Sequence, residues 1–240
     1  MRYKLELSYK GTNYHGWQRQ PNAISVQQVI EDAINLIFRD NIEIVGCGRT
    51  DTGVHAKFYT AHFDSNKKYT EQDIKKLNKF LAQDIAINSI TKVDEDFHAR
   101  FSAKERSYIY HITQTKNPFN TEFAWLITKN LNVELMNKAI KKLYDYTDFT
   151  SFSKLHTDVK TNNCKIINAE VLKVNSDIFI KITADRFLRD MIRAITGTLV
   201  NIGKEKISIK EFCKIIEEKK RSKAGQSAPA HGLFLVDVKY

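Results

Sequence analysis

An α+β fold with largely antiparallel strands is predicted by three features of this 240-residue chain. Short segments of strict apolar/polar alternation recur along it, marking half-buried strands. Amphipathic stretches with helical spacing lie between them. Both element types appear in each half of the chain, which favours antiparallel sheet with helices packed on one face over a βαβ arrangement.

The elements follow in order. Residues 2–9 alternate, with Tyr3, Leu5, Leu7 and Tyr9 on one face and Arg2, Lys4, Glu6 and Ser8 on the other. A glycine-punctuated loop, "KGTNYHGWQRQPN", leads to a capping box at Ser25 and Gln28. Behind it Val26, Val29, Ile30, Ala33, Ile34 and Ile37 keep helical spacing. Strands are expected near 42–47 and 57–63, a helix near 71–82, and strands near 87–94 and 106–114. The polar, aperiodic "TKNPFNTEF" at 115–123 is the best boundary. It divides the chain into an N-terminal subdomain, 1–114, a connecting loop, and a C-terminal subdomain, 124–240. The second half continues with a helix near 133–145, strands near 164–174 and 177–184, and a long helix over 187–202. A further helix starts at the capping box Ser208–Glu211 and runs to about 220, and "LFLVDVKY" closes as a strand. The halves share an element order without a residue-level repeat.

Composition narrows the function. Hydrophobic residues make up 42%, enough for a packed core, and no run of 18 apolar residues occurs. The N-terminus alternates instead of forming a signal-peptide core, so a soluble cytoplasmic protein is expected, without a membrane partner. Cys47, Cys164 and Cys213 are far apart and form no CxxC pair. Seven histidines occur without HExxH or a Cys/His cluster, and "GCGRTDTG" contains no Walker lysine. Neither a metal nor a cofactor is expected. Thirty-eight Lys and Arg against 28 Asp and Glu give a net charge of +10 and a pI near 9.3. That excess favours a polyanionic partner, nucleic acid first. Lys219, Lys220, Arg221 and Lys223 are its densest cluster and the expected phosphate contacts.

Three of only nine glycines, Gly46, Gly48 and Gly53, surround Arg49-Thr50-Asp51. Glycine serves where backbone takes φ > 0 or approaches another group closely, so a shaped loop presenting Arg49 and Asp51 is expected. In "DRFLRDMIRAITGTLV" the charges Arg186, Arg189 and Arg193 sit among apolar residues, and read as a helix they share a face. An arginine so placed needs a carboxylate partner. Tyr108 and Tyr110 share a strand face in "FSAKERSYIYHIT", either as ordinary strand packing or as a stacking surface.

Four stretches together resemble one family, the tRNA pseudouridine synthase A family, over essentially the whole chain. They are "YKGTNYHGWQRQ", "GRTDTGVHA", "FHARFSAKERSYIY", and "FLRDMIRAITGTLVNIG" with "AGQSAPAHGLFLVDVKY". The resemblance implies that Asp51 is the catalytic aspartate and Tyr108 the tyrosine that packs on the target base. It implies that Arg193 pairs with the aspartate and that Arg49 takes part in base flipping. It further implies a homodimer acting without cofactor on uridines 38–40 of the tRNA anticodon arm, with DNA not expected as a partner. Two related subdomains would join their sheets into one extended sheet, with the active cleft between them. Thr52 stands where alanine is common in the family, and Arg189-Asp190 where histidine is often found. A non-catalytic basic RNA-binding module is the rival, but it gives no reason for a carboxylate on a glycine-shaped loop facing phosphates.

Overall fold

The computed structural model describes residues 1–154 and 161–240. Its contacts divide the chain into two compact units, Met1–Lys104 with Leu235–Tyr240, and Glu105–Phe234.

In the first unit, β1 (Arg2–Tyr9) buries alternate residues Tyr3, Leu5, Leu7 and Tyr9, as its pattern requires. Helix α1 (Val26–Phe38) starts where the Ser25 hydroxyl accepts from the Gln28 N–H. It buries Val26, Ile30, Ala33 and Ile34. The expected strand at 42–47 shrinks to β2 (Val45–Gly46). The Ile44 N–H is taken instead by the buried carboxylate of Glu31, at 2.9 Å, which Arg19 neutralises at 3.0 Å. Next come β3 (His55–Asp64), α2 (Glu71–Phe80) behind a Thr70–Asp73 capping box, and β4 (Ile85–Val93). Strand β1 pairs antiparallel with β3 on one side and β4 on the other.

The second unit opens with β5 (Glu105–Thr113), which the sequence division at 115 assigns to the first half. It sorts with the second unit because it pairs with β8 from Arg106↔Ala184 to Thr113↔Asp177. Residues 115–123 lie within this unit and lead by turns into β6 (Trp125–Leu126), which runs parallel to β5. Helix α3 (Val133–Lys141) passes into a 3-10 turn at Lys142–Asp145 and packs on β7 (Ile166–Val174). Strand β7 pairs antiparallel with β8 (Asp177–Ala184).

Helix α4 (Met191–Gly203) begins four residues later than its apolar spacing suggests, because Asp190 takes a left-handed φ of 68°. Arg186 and Arg189 therefore precede the helix and share no stripe with Arg193. Eleven of its 13 residues are buried, which fits the apolar character read from sequence. Helix α5 (Ile209–Glu217) closes the Ser208–Glu211 capping box and ends before Lys219, whose φ is 52°. Strand β9 (Leu233–Lys239) ends the chain, its first two residues in the second unit and the rest in the first. Among the described residues no helix is long and apolar enough to cross a membrane.

His62 on β3 is buried, and its Nδ1 accepts the Ala99 N–H at 3.1 Å. Burial first, then the neighbouring His98 and Arg2, push its pKa down to about 4. The folded protein thus keeps His62 neutral between its ordinary value of 6.5 and about 4, where the unfolded chain already binds a proton. Stability should fall as pH drops through that window. Asp64, held below its ordinary value by Arg2, loses its contribution only at lower pH. His62→Asn, which keeps an acceptor near Nδ1 without the titration, should lose less thermal stability between pH 7 and 4.5 than the parent. Equal losses in thermal melts would acquit His62.

Candidate active site

The Asp51 loop is held from below by aromatics. Cys47 N–H donates to Thr60 O at 2.9 Å, and the Tyr59 hydroxyl donates to Gly48 O. Tyr59 stacks on Trp17 with ring centroids 4.0 Å apart, and Tyr9 leans on Tyr59 at 5.6 Å. The buried Thr50 Oγ1 and the Tyr9 hydroxyl lie 2.9 Å apart. With Thr50 turned inward, its neighbour Arg49 is exposed and Asp51 half-buried. The Val54 N–H closes the turn onto Asp51 O at 3.1 Å.

The three loop glycines have unequal roles. Gly53 takes φ 78°, and a Cβ on Gly46 would strike Tyr59 and Trp17. Gly48 has open space and no positive φ, so the expectation that all three shape the loop holds for two of them. A further constraint lies outside the loop, at Gly16. It has φ 84°, and a Cβ there would sit 2.2 Å from Thr50 O. The segment "GTNYHGW" is therefore part of the site. The Gly53 N–H reaches Tyr14 O at 3.3 Å, and the Tyr14 hydroxyl donates to Asp84 at 2.6 Å. Burial, reinforced by Asp84, raises the Tyr14 phenol well above its ordinary value and keeps it a donor.

A second constellation surrounds the start of α4. Arg193 Nη1 lies 3.2 Å from Asp190 Oδ1, and its Nε donates to Ala228 O at 2.7 Å. The Ala228 N–H returns to Arg193 O at 3.0 Å. Arg221, only 19% exposed, approaches Asp190 Oδ2 at 3.6 Å and donates to Gly225 O and to Ser227. The Ser227 hydroxyl also donates to Asp190. A Cβ on Gly197 would lie 1.8 Å from Gln226 O, so the 224–229 loop rests directly on α4.

Tyr108 is half-buried on β5, its ring meeting Phe187 edge-on at 5.2 Å and 87°. Two residues on, Tyr110 is fully buried and donates to Pro229 O at 2.7 Å, which is core packing. Of the basic cluster, Lys220 and Lys223 are exposed. Lys219 is 59% exposed but lies 3.0 Å from Asp148, and Arg221 is tied to Asp190. Two members of the cluster, Lys219 and Arg221, thus each face a carboxylate. Asp190 and Arg221 form a latch that the sequence reading missed. Its one signal was an Asp in the first turn of an expected apolar helix. Among the described residues no group of three or more His, Cys, Asp or Glu is placed to hold a metal ion.

A fold of mixed antiparallel ladders and helices, with a carboxylate on a buttressed loop and a wealth of basic side chains, suits an enzyme of RNA. The family profile of tRNA pseudouridine synthases matches residues 7–102 and 139–240. This chain belongs to that family. It is 49% identical to the tRNA pseudouridine synthase A of Bacteroides fragilis, over 100% of this chain and 96% of the relative. The Parabacteroides distasonis enzyme of the same name is 49% identical over the same shares. That of Clostridium acetobutylicum is 39% identical over 99% of this chain and 98% of its own. Asp51, Arg49 and Arg193 lie within the profile's matched segments. Tyr108 falls between them, inside the full-length similarity to the relatives.

If the Tyr9–Thr50 contact fixes the direction of Asp51, Thr50→Val should lower kcat by about tenfold or more, since small misplacements of a reacting group are costly. It should destabilise the fold by only about 1–2 kcal/mol. Thr50→Ser, which keeps the hydroxyl, should restore turnover. Parent-like kcat in the Val variant would show that the contact does not position Asp51.

Proposed function

We propose that this chain converts uridine to pseudouridine in the anticodon stem-loop of tRNA, at positions 38, 39 and 40, with Asp51 as the reacting carboxylate. The observation that carries the reading is Asp51 itself, a half-buried acid on a loop braced by Tyr9 at Thr50 and by backbone hydrogen bonds at Cys47, Gly53 and Val54. A basic RNA-binding surface has no use for such a group, since a carboxylate repels phosphate.

The reaction breaks the N1–C1′ bond of uridine, turns the base and joins C5 to C1′; the C5 proton leaves and N1 takes up one proton. It is an isomerisation, with no net gain or loss of atoms or electrons. A base within a stem must first leave the stack, at roughly a few kcal/mol. Arg49, exposed two residues before Asp51, is suited to fill the vacated place with a planar cation. Asp51 acts at the ribose in its ionised form. Arg193 is proposed to supply the positive charge that favours this form, its side chain already held by Asp190 and Ala228. Tyr108, part-exposed and braced by Phe187, is proposed to stack on the flipped uracil. The resemblance further supports a cytoplasmic homodimer as the working form.

Phosphate contacts are assigned to Lys219, Lys220 and Lys223, with Arg221 reassigned to holding the 224–229 loop. Neutralising Lys220 and Lys223 together should weaken tRNA binding and reduce its salt slope by about two. Arg221→Met should instead lower the melting temperature. A salt slope that follows Arg221 and ignores the two lysines would reverse this assignment.

Asp51→Asn keeps the size of the side chain and removes its charge. Binding of tRNA, read by filter retention, should be unchanged or slightly tighter, while release of label from 5-tritiated uridine falls to background. Label released at the parent rate would make Asp51 a turn residue and defeat the mechanism.

A further inference from the structure

The turn His98–Ser102 presents an aromatic ring to solvent. Phe101 is 75% exposed, an unfavourable place for a large apolar side chain. It is not on a loose segment. His98 Nδ1 accepts the N–H groups of both Arg100 and Phe101 at 3.2 Å. The His98 N–H donates to Ser102 Oγ at 3.0 Å, and the Ser102 N–H returns to His98 O at 2.8 Å. The Ala99 N–H is held by His62. The rings of His98 and Phe101 lie 4.3 Å apart, and the Arg100 guanidinium stands 5.5 Å from the Phe101 ring centroid. Burial, with Arg2 and Arg100 nearby, pushes the His98 pKa down, which suits an imidazole nitrogen that must accept two hydrogen bonds.

We propose that Phe101, flanked by Arg100, is a stacking platform for an unpaired nucleobase of the RNA substrate. The chemistry on the turn matches that ligand. Every base offers a π-face to an aromatic ring whatever its sequence, and a guanidinium beside the ring can stack on the base or meet the phosphate next to it. A protein partner would ask for apolar surface around the ring. The neighbours are instead an arginine, a histidine and a serine, in a chain of net charge +10. The inference rests on the reading of this protein as a tRNA enzyme, and adds a contact for a nucleotide other than the one that reacts.

The test is an affinity series on the full chain with unmodified tRNA, comparing Phe101→Ala, Phe101→Leu and Phe101→Tyr. Loss of one stacked base should weaken Kd by about tenfold in both the Ala and Leu variants. The Tyr variant should stay within about twofold of the parent. Thermal midpoints should be the same in all four proteins, since the ring packs little. A Leu variant that binds like the parent would mean simple apolar contact and overturn stacking. So would an Ala variant with parent affinity, whether or not its sedimentation changes. Turnover of the parent, measured separately, tests the reaction itself. A parent that released no label yet bound tRNA through Phe101 would sink the proposed function and leave the platform standing.

Discussion

The packing of Gly16 against Thr50 O governs the loop that bears Asp51. A side chain at Gly16 would overlap that oxygen, so the "GTNYHGW" segment lies on the loop with no spacer. Closeness there lets the Trp17 N–H reach Thr50 O and the Gly53 N–H reach Tyr14 O. It also seats Trp17 on Tyr59, and the Tyr9 hydroxyl beneath Thr50 completes the support. In the proposed reaction a carboxylate acting on one ribose atom gains most from such restraint, because misplacement by an ångström can remove much of its effect. The cost is borne by backbone conformation, with positive φ at Gly16 and Gly53.

Much of this was legible in the sequence, and the failures share a cause. Strand β1, helix α1, strand β8 and the Ser208 cap follow from local periodicity and capping chemistry, which act within a few residues. The Asp51 loop announced itself through clustered glycines around an Arg and an Asp. Misread features depended on partners distant in sequence. Strand β2 is short because Glu31, 13 residues earlier, takes the Ile44 N–H. Strand β5 belongs with the second unit because β8, some 70 residues on, pairs with it. Arg221 read from sequence as a phosphate contact, whereas in the fold its guanidinium is held by Asp190 and Ser227.

Helix α4 shows how an apolar pattern can mislead about where a helix starts. Its apolar spacing extends back to Phe187, yet Asp190 breaks the helix with a left-handed backbone. The carboxylate then faces Arg193 one turn on and Arg221 beyond α5. Two cations on one carboxylate offset its desolvation, and the Ser227 hydroxyl adds a hydrogen bond. The guanidinium of Arg193, which sequence reasoning singled out, is thus held in one orientation by Asp190 and Ala228.

That latch has a consequence for the thermodynamics of RNA capture. Segments of chain that become ordered only on binding lose roughly 1–2 kcal/mol of backbone entropy per residue. The 224–229 loop has no such freedom left to lose. Gly225 is bound to Thr198, Ala228 to Arg193, and Gln226 rests against Gly197. Whatever attraction an RNA finds on this surface is therefore not diminished by the work of folding the loop around it.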